Sequence, residues 1–316
     1  MLTRREFLAL GGAALATAAA VPLYAWQVEP HWVDVVHRPL PLEDLPPALE
    51  GRTLLQVSDI HVGPPMSSAY LIETFDRARE LAPDFVVFTG DFVTYRSPDV
   101  TRELARVLRH LPNGRLGTVG VLGNHDYGFK WRHVEVADQI SRIAADAGLR
   151  VLRNEVHVIA DLQFIGLTDF WSPEFGRHAA QRLVPHYLPD GTRVVEQTPP
   201  GGRDAGATLR TRVPARPTIV LVHNPDVQDL PIWDGVRAWS LSGHTHGGQV
   251  KPPFLPPPIL PVKNKRYVAG EYQIAPGRML YVNRGLGHLV QVRFNVRPEL
   301  TLFTLHRAPD RPDEVV

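Results

Sequence analysis

Asp59 and His61 sit two apart in this chain, as do His244 and His246. In extended backbone, side chains two apart share a face. A carboxylate beside an imidazole, and two imidazoles together, are both arrangements that bind metal. Three further polar motifs accompany them: Gly90-Asp91, Gly123-Asn124-His125-Asp126 and His223-Asn224. The second histidine pair lies in Gly243-His244-Thr245-His246-Gly247-Gly248, where glycines let the backbone approach closely. Pooled, the motifs offer two Asp, one Asn and four or five His, which is the ligand set of a two-metal hydrolytic centre.

Within that set, Asp91 is placed to bridge two cations, Asn124 brings a neutral carbonyl oxygen and His223 a further nitrogen. The chain has no cysteine, so its ligands are N and O, which suits manganese, iron or zinc and not copper or iron–sulfur chemistry. Two cations about 3.5–4 Å apart activate a water and neutralise the attacking and leaving oxygens of a phosphoryl group. His125, adjacent to a ligand, is expected to point into the cleft and protonate the departing oxygen, with Asp126 orienting its ring. Each motif alone also has a plain reading. Asp-x-His and Gly-Asp occur as surface turns, Gly-Asn-His-Asp as an Asx-type turn, and a lone His223 as a packed core residue. Asp169 reads as a turn cap or as a support behind the ligands. The remaining histidines receive no role.

What sets the motifs apart is position, because each follows an apolar run. Thr53 to Val57 precedes Asp59, Asp84 to Phe88 precedes Gly90, and Leu116 to Leu122 precedes Gly123. Thr218 to Val222 precedes His223, and Val236 to Leu241 precedes Gly243. Helical spacing predicts helices over Ala69–Leu81, Val100–Leu111 and Val134–Ala147. Further strands are expected at Arg150–Leu152, Val156–Ala160, Gln163–Leu167, Glu271–Ile274, Met279–Asn283, Val290–Phe294 and Leu300–Leu305. Alternation of strands and helices, then a strand-rich half, predicts an α/β fold of two sheets with helices outside. In layered folds of this kind ligands sit beyond the carboxyl ends of strands, where all five motifs fall.

The chain divides into a leader (1–26), a Pro-rich linker (27–51, at most a short strand at Trp32–Val36), one domain (52–307) and a flexible tail (308–316). Residues 171–216 are poorly periodic and too long for an ordinary connection, so a lid, an insertion or disorder is expected there. Pro252–Pro261 reads as a Pro-rich loop. A formal net charge of +1 over 316 residues gives no case for nucleic acid or an anionic membrane as a bulk partner. At the start, Thr3-Arg4-Arg5-Glu6-Phe7-Leu8 leads into Leu8–Val21, apolar apart from Thr17. This reads as a twin-arginine export signal, which places the protein in the periplasm or cell envelope. Ala18-Ala19-Ala20 would serve as the cleavage site, with an uncleaved membrane anchor as the alternative.

In the order and context of these motifs, the sequence resembles the calcineurin-like metallophosphoesterases from about Arg52 to Leu305. The resemblance implies a four-layer α/β/β/α sandwich of two mixed sheets flanked by helices. It implies one divalent metal held by Asp59, His61, Asp91 and His246, a second held by Asp91, Asn124, His223 and His244, and a catalytic, unligated His125. No other cofactor is implied. The signal, Gly247-Gly248-Gln249, the Pro-rich loop ending at Leu260-Pro261-Val262, and Asn283-Arg284-Gly285-Leu286-Gly287 look like the exported bacterial phosphodiesterase subgroup. The 171–216 segment departs from that pattern.

The leading expectation is therefore a metal-dependent hydrolase of phosphodiesters or phosphomonoesters, acting on a small-molecule or lipid-linked ester outside the cytoplasm. Its expected partner is the twin-arginine export machinery, together with an association with membrane or cell wall. One alternative is pyrophosphate cleavage in a nucleotide-linked sugar or lipid such as UDP-diacylglucosamine. There Phe254, Leu255, Ile259 and Leu260 would form an apolar wall, or else a rigid surface loop. The other is a non-catalytic binding module on the same scaffold.

Overall fold

The computed structural model describes residues 3, 5, 20–176, 182–188, 192–197 and 209–309. Most of the expected export signal and residues 310–316 of the expected tail lie outside these. The first half alternates strand and helix: β1 (Asp34–Leu42), β2 (Thr53–Val57), α1 (Ser68–Glu80), β3 (Phe85–Thr89), α2 (Asp99–Leu108), β4 (Gly117–Val121), α3 (Val134–Asp146) and β5 (Arg150–Val151). Strands dominate the rest: β6 (Glu155–Ile159), β7 (Leu162–Gly166), β8 (His186–Tyr187), β9 (Arg193–Gln197), β10 (Leu209–Arg212), β11 (Thr218–Leu221), β12 (Ala238–Ser242), β13 (Gly270–Ala275), β14 (Arg278–Val282) and β15 (Glu299–Arg307).

Two six-stranded mixed sheets result, ordered β1-β15-β2-β3-β4-β5 and β13-β14-β12-β11-β7-β6. Strands β2 to β5 run parallel in the first sheet, and β7, β11, β12 and β14 in the second. The sheets face each other across a core in which Leu54, Phe85 and Val121 meet Phe164, Ile219 and Leu241. The three helices cover the far side of the first sheet, where Leu71, Phe75, Leu104 and Ile140 pack on Leu55, Val86 and Phe88. The far side of the second sheet is covered by Val184, Val227, Ile232 and Trp233, the valine at 227 belonging to a short 3-10 turn, Pro225–Asp229. With both faces covered, the central strands are apolar throughout; every residue of β3 and of β12 is buried.

Helix positions agree with the periodicity to within a few residues. Ser67 starts α1, its side chain accepting the Tyr70 N–H, as an N-cap serine should. Three expectations change. Residues 34–42, placed in a linker, form the nine-residue edge strand β1, paired in register with β15 from Asp34↔Glu299 to Leu42↔Arg307. Its prolines obscure the strand in the sequence, yet an edge strand tolerates them because one side makes no ladder bonds. Val290–Phe294 is not a strand but a loop with one bridge, Val250↔Phe294. Its backbone groups are taken by other partners, Gln249 Nε2 reaching the Val290 and Val292 carbonyls and Arg293 N–H reaching Ala25. Within 171–216, the described residues include a small antiparallel sheet, β10-β9-β8.

Candidate metal centre

The carboxyl ends of β2, β3, β4, β11 and β12 converge on one edge of the two sheets. All seven predicted ligands meet there and are at least 94% buried. Six of them fall into two groups whose donor atoms lie within 4.8 Å of one another: Asp59, His61 and His246, and Asp91, His223 and His244. Asp91 Oδ2 lies 3.5 Å from His61 Nε2 and 3.2 Å from His223 Nε2, so one carboxylate oxygen faces both groups. His246 Nε2 is 3.3 Å from Asp59 Oδ1 and 3.1 Å from His61 Nε2.

The backbone reaches this geometry by a route the two-apart spacing did not predict. Asp59, His61, Asp91, His244 and His246 all have left-handed φ, between 47° and 71°. Such conformations cost on the order of 1–3 kcal/mol each and persist where the surroundings over-determine them. Here bonds between neighbouring loops do so: Asp59 N–H to Gly90 O (2.9 Å), His61 N–H to Asp91 O (3.0 Å) and Gly287 N–H to Asp59 O (2.6 Å). His244 N–H reaches both Asp59 carboxylate oxygens at 3.1 Å. Glycine is required where loops touch. A Cβ on Gly123 would sit 2.2 Å from Asp91 Oδ1, and one on Gly243 would sit 2.2 Å from Asp59 Oδ2.

Imidazole orientation shows what the site is built to hold. His223 Nδ1–H donates to the Thr89 carbonyl (2.7 Å), and His244 Nε2–H donates to the Pro261 carbonyl (2.7 Å). Their other nitrogens, His223 Nε2 and His244 Nδ1, face each other 3.2 Å apart. Two neutral rings would thus oppose bare lone pairs, which only a proton or a cation between them relieves. His246 Nδ1–H likewise donates to Gly287 O (3.2 Å), and His61 Nδ1 meets Thr94 Oγ1 (3.1 Å). Asn124 Oδ1 is buried without a partner among the described residues. An orphan carbonyl oxygen and inward-turned nitrogens fit divalent cations held by N and O donors.

The electrostatics agree. Burial opposes ionisation of Asp59 and Asp91, yet the neighbouring histidines, His246 and His223 foremost, hold both carboxyls well below the usual carboxylate range. Burial lowers His61 far below the ordinary imidazole value and takes His244 down to about 3, so both rings are neutral at physiological pH. His223 moves the other way despite burial, raised by Asp91.

His125 stands apart, half-buried, with its ring edge-on to His61 (centroids 5.1 Å) and to Trp131 (6.0 Å). Its backbone N–H donates to Asp91 Oδ1 (2.9 Å). Asp126 does not orient that ring. Its carboxylate accepts the backbone N–H groups of Phe92, Val93 and Gly123, tying the Asp91 loop to the Asn124 loop. Asp169 caps a turn through Trp171 N–H, and its second oxygen is buried without a partner among the described residues.

Sequence reasoning missed two features. Arg293 is fully buried and donates to the carbonyls of Arg284, Gly285, Gly287 and Val296, bracing the loop that carries the His246 acceptor. No local pattern marks a buried arginine. Trp131 stacks on Trp171 (5.0 Å), which in turn meets His244 edge-on (4.6 Å), so an aromatic wall spans the site.

The chain matches the calcineurin-like phosphoesterase family over residues 52–248. It is 30% identical to an uncharacterized metallophosphoesterase, YkuE, of Bacillus subtilis, covering 96% of this chain and 98% of the relative. Identity is 29% to phosphodiesterase YaeI of Escherichia coli (96% and 100% covered). It is 26% to UDP-2,3-diacylglucosamine pyrophosphatase LpxG of Chlamydia trachomatis (92% and 95%).

Proposed function

The chain belongs to the calcineurin-like phosphoesterase family, and from that premise we propose a phosphodiesterase of the cell envelope whose dimetal centre is held by the seven residues above. Family membership makes it a hydrolase of phosphoric esters that uses a dinuclear divalent metal centre. In this reading Asp59, His61 and His246 hold one cation, Asn124, His223 and His244 hold the other, and Asp91 serves both. The observation that carries it is Asp91 Oδ2, within 3.5 Å of an inward nitrogen from each group. When bound, the two cations supply Lewis-acid stabilisation of phosphoryl charge and activation of the attacking water.

The chain's own residues do the rest. Thr89, Pro261 and Gly287 carbonyls fix the imidazole tautomers, so ligand nitrogens are pre-aimed. Ligands are buried, so little reorganisation accompanies charge development on the substrate. His125, half-exposed beside the centre, donates an imidazole proton to the departing ester oxygen. Such general-acid help is worth roughly 10²–10⁴-fold. The test is a panel of phosphate esters assayed with each metal restored, using wild type and His125→Ala. We expect diester cleavage with manganese, iron or zinc, and a loss in His125→Ala of about 10²–10⁴-fold in kcat at unchanged metal content. Unchanged turnover in the variant contradicts the assignment.

A second reading is supported by a groove of about 750 Å³ that opens at Gly247, next to His246, lined by Lys251, Leu255, Val268, Ala269 and Val296. Its lining is mixed, with Lys251, Arg284 and Asn295 beside Phe254, Leu255 and Val268, which suits an amphiphile carrying an acyl chain, and a relative of the chain is named as a UDP-2,3-diacylglucosamine pyrophosphatase. Faster turnover on a lipid-linked pyrophosphate than on a simple diester would favour it. Export rests on Thr3-Arg4-Arg5-Glu6-Phe7-Leu8 and the apolar run behind it. A pathway that carries folded proteins suits an enzyme that loads metal first.

A further inference from the structure

Three segments on one side of the metal centre expose large apolar side chains. They are Leu23, Trp26 and Val28, then Leu289 and Val290, then Phe254, Leu255 and Ile259; Phe254 is 105% exposed and Ile259 77%. They are joined into one face by hydrogen bonds. Gln291 Nε2 donates to Trp26 O (3.2 Å) and Arg293 N–H to Ala25 O (2.9 Å). Gln249 Nε2 donates to Val290 O (2.9 Å) and Lys251 N–H to Phe294 O (2.9 Å). Gly248 lies against Pro257, which connects the Pro-rich loop to the same face. An apolar surface of this extent marks an interaction site.

Charge narrows the partner. No Asp or Glu occurs between Asp234 and Glu271, nor between Glu271 and Glu299. The first of these stretches carries exposed Lys251, Lys263, Lys265 and Arg266. Two of these cations stand among the apolar tips: Lys251 lines the same groove as Phe254 and Leu255, and Lys265 Nζ donates to the Leu260 and Val262 carbonyls beside Ile259. A second copy of the chain would bring the same cations against themselves. The chain also enters this face directly from its apolar leader, since Leu8–Val21 runs into the segment that contains Leu23 and Trp26. Protruding apolar tips set among lysines and arginines fit an anionic bilayer, tips in the acyl boundary and cations at the headgroups.

We infer that this face docks onto an anionic lipid bilayer and presents the dimetal centre to phosphate esters at the membrane surface. The inference rests on the phosphoesterase reading and specifies where its substrate lies. The groove lined by Gly247, Lys251, Phe254 and Leu255 lies on the same face.

The absence of cysteine makes a direct test simple. Full-length Phe254→Cys, Val290→Cys, Leu116→Cys and Val158→Cys chains are labelled with an environment-sensitive nitrobenzoxadiazole dye. They are then mixed with phosphatidylethanolamine vesicles containing phosphatidylglycerol. Labels at 254 and 290 are expected to shift to the blue and be quenched by brominated lipid, while those at 116 and 158, on other faces, stay in water. In parallel, Phe254→Asp with Ile259→Asp should lower the ratio of vesicle-borne to soluble diester turnover by at least about fivefold. Labels at 254 and 290 that stay in water on vesicle-bound protein, or an unchanged ratio, overturn the docking face. Failure of wild type to cleave any soluble diester would instead overturn the phosphoesterase reading, and the label positions would still report on docking.

Discussion

Asp169 is the residue whose burial has the clearest consequence in solution. Burial pushes its carboxyl up to about 6 from an ordinary value of 3.8. As pH rises from 4 through 6, the unfolded chain releases this proton while the folded chain keeps it, so the folded state loses stability. Above 6 the loss is complete, about 3 kcal/mol at 1.36 kcal/mol per unit. Asparagine can still accept the Trp171 N–H and has no proton to lose. In metal-free protein, the stability advantage of Asp169→Asn over wild type should therefore grow by about 2–3 kcal/mol between pH 4 and pH 7. Urea unfolding at both values checks this, and a constant offset contradicts it. The seven candidate ligands and His125 were legible because each follows an apolar run and polar types repeat at short spacing. Asp169 was legible only as a turn cap, since its burial depends on sheet packing.

At the scale of elements, strand ends determine where the ligands sit and the loops between them determine how they point. Expecting Asp59 and His61 on one face assumed extended backbone; the structure has both in left-handed turns, and they converge because neighbouring loops hold them there. Arg293 is the central brace. Replacing it with Met removes a donor from four carbonyls; Gly285 O keeps the Glu299 N–H and Gly287 O keeps His246, while those of Arg284 and Val296 lose theirs, costing about 2 kcal/mol or more at 1–3 kcal/mol per unsatisfied buried group. The His246 acceptor, Gly287 O, also loses its second donor, so affinity for one of two cations should fall by about 10–100-fold. Arg293→Lys should not rescue either effect, because an ammonium cannot span carbonyls of four residues. Denaturant midpoints and metal titration report the two effects. Weakening of both cations alike would contradict the brace. Strand β1 shows the converse limit, since prolines hid a nine-residue element that position at a sheet edge permits.

Over the whole molecule, two parallel-rich sheets aim their carboxyl ends at one edge, and the exposed apolar face lies beside it. The order of strands and helices made this α/β layering readable from sequence. The small sheet β8–β10 was not, because its strands lack apolar alternation. Among the described residues no helix is long and apolar enough to cross a membrane. If the leader is a twin-arginine signal, Arg4→Lys with Arg5→Lys should leave the protein in the cytoplasm while its activity in lysate is retained. Cell fractionation with the diester assay reads this, and normal export of the double variant contradicts it. The proposed dimetal centre requires that side chains drawn from five strand ends cage two cations. Anomalous X-ray diffraction from manganese-loaded crystals tests it most directly. Two peaks should appear, one against Asp59, His61 and His246, the other against Asn124, His223 and His244, with Asp91 touching both. A single peak, or peaks away from Asp91, would contradict the dimetal centre.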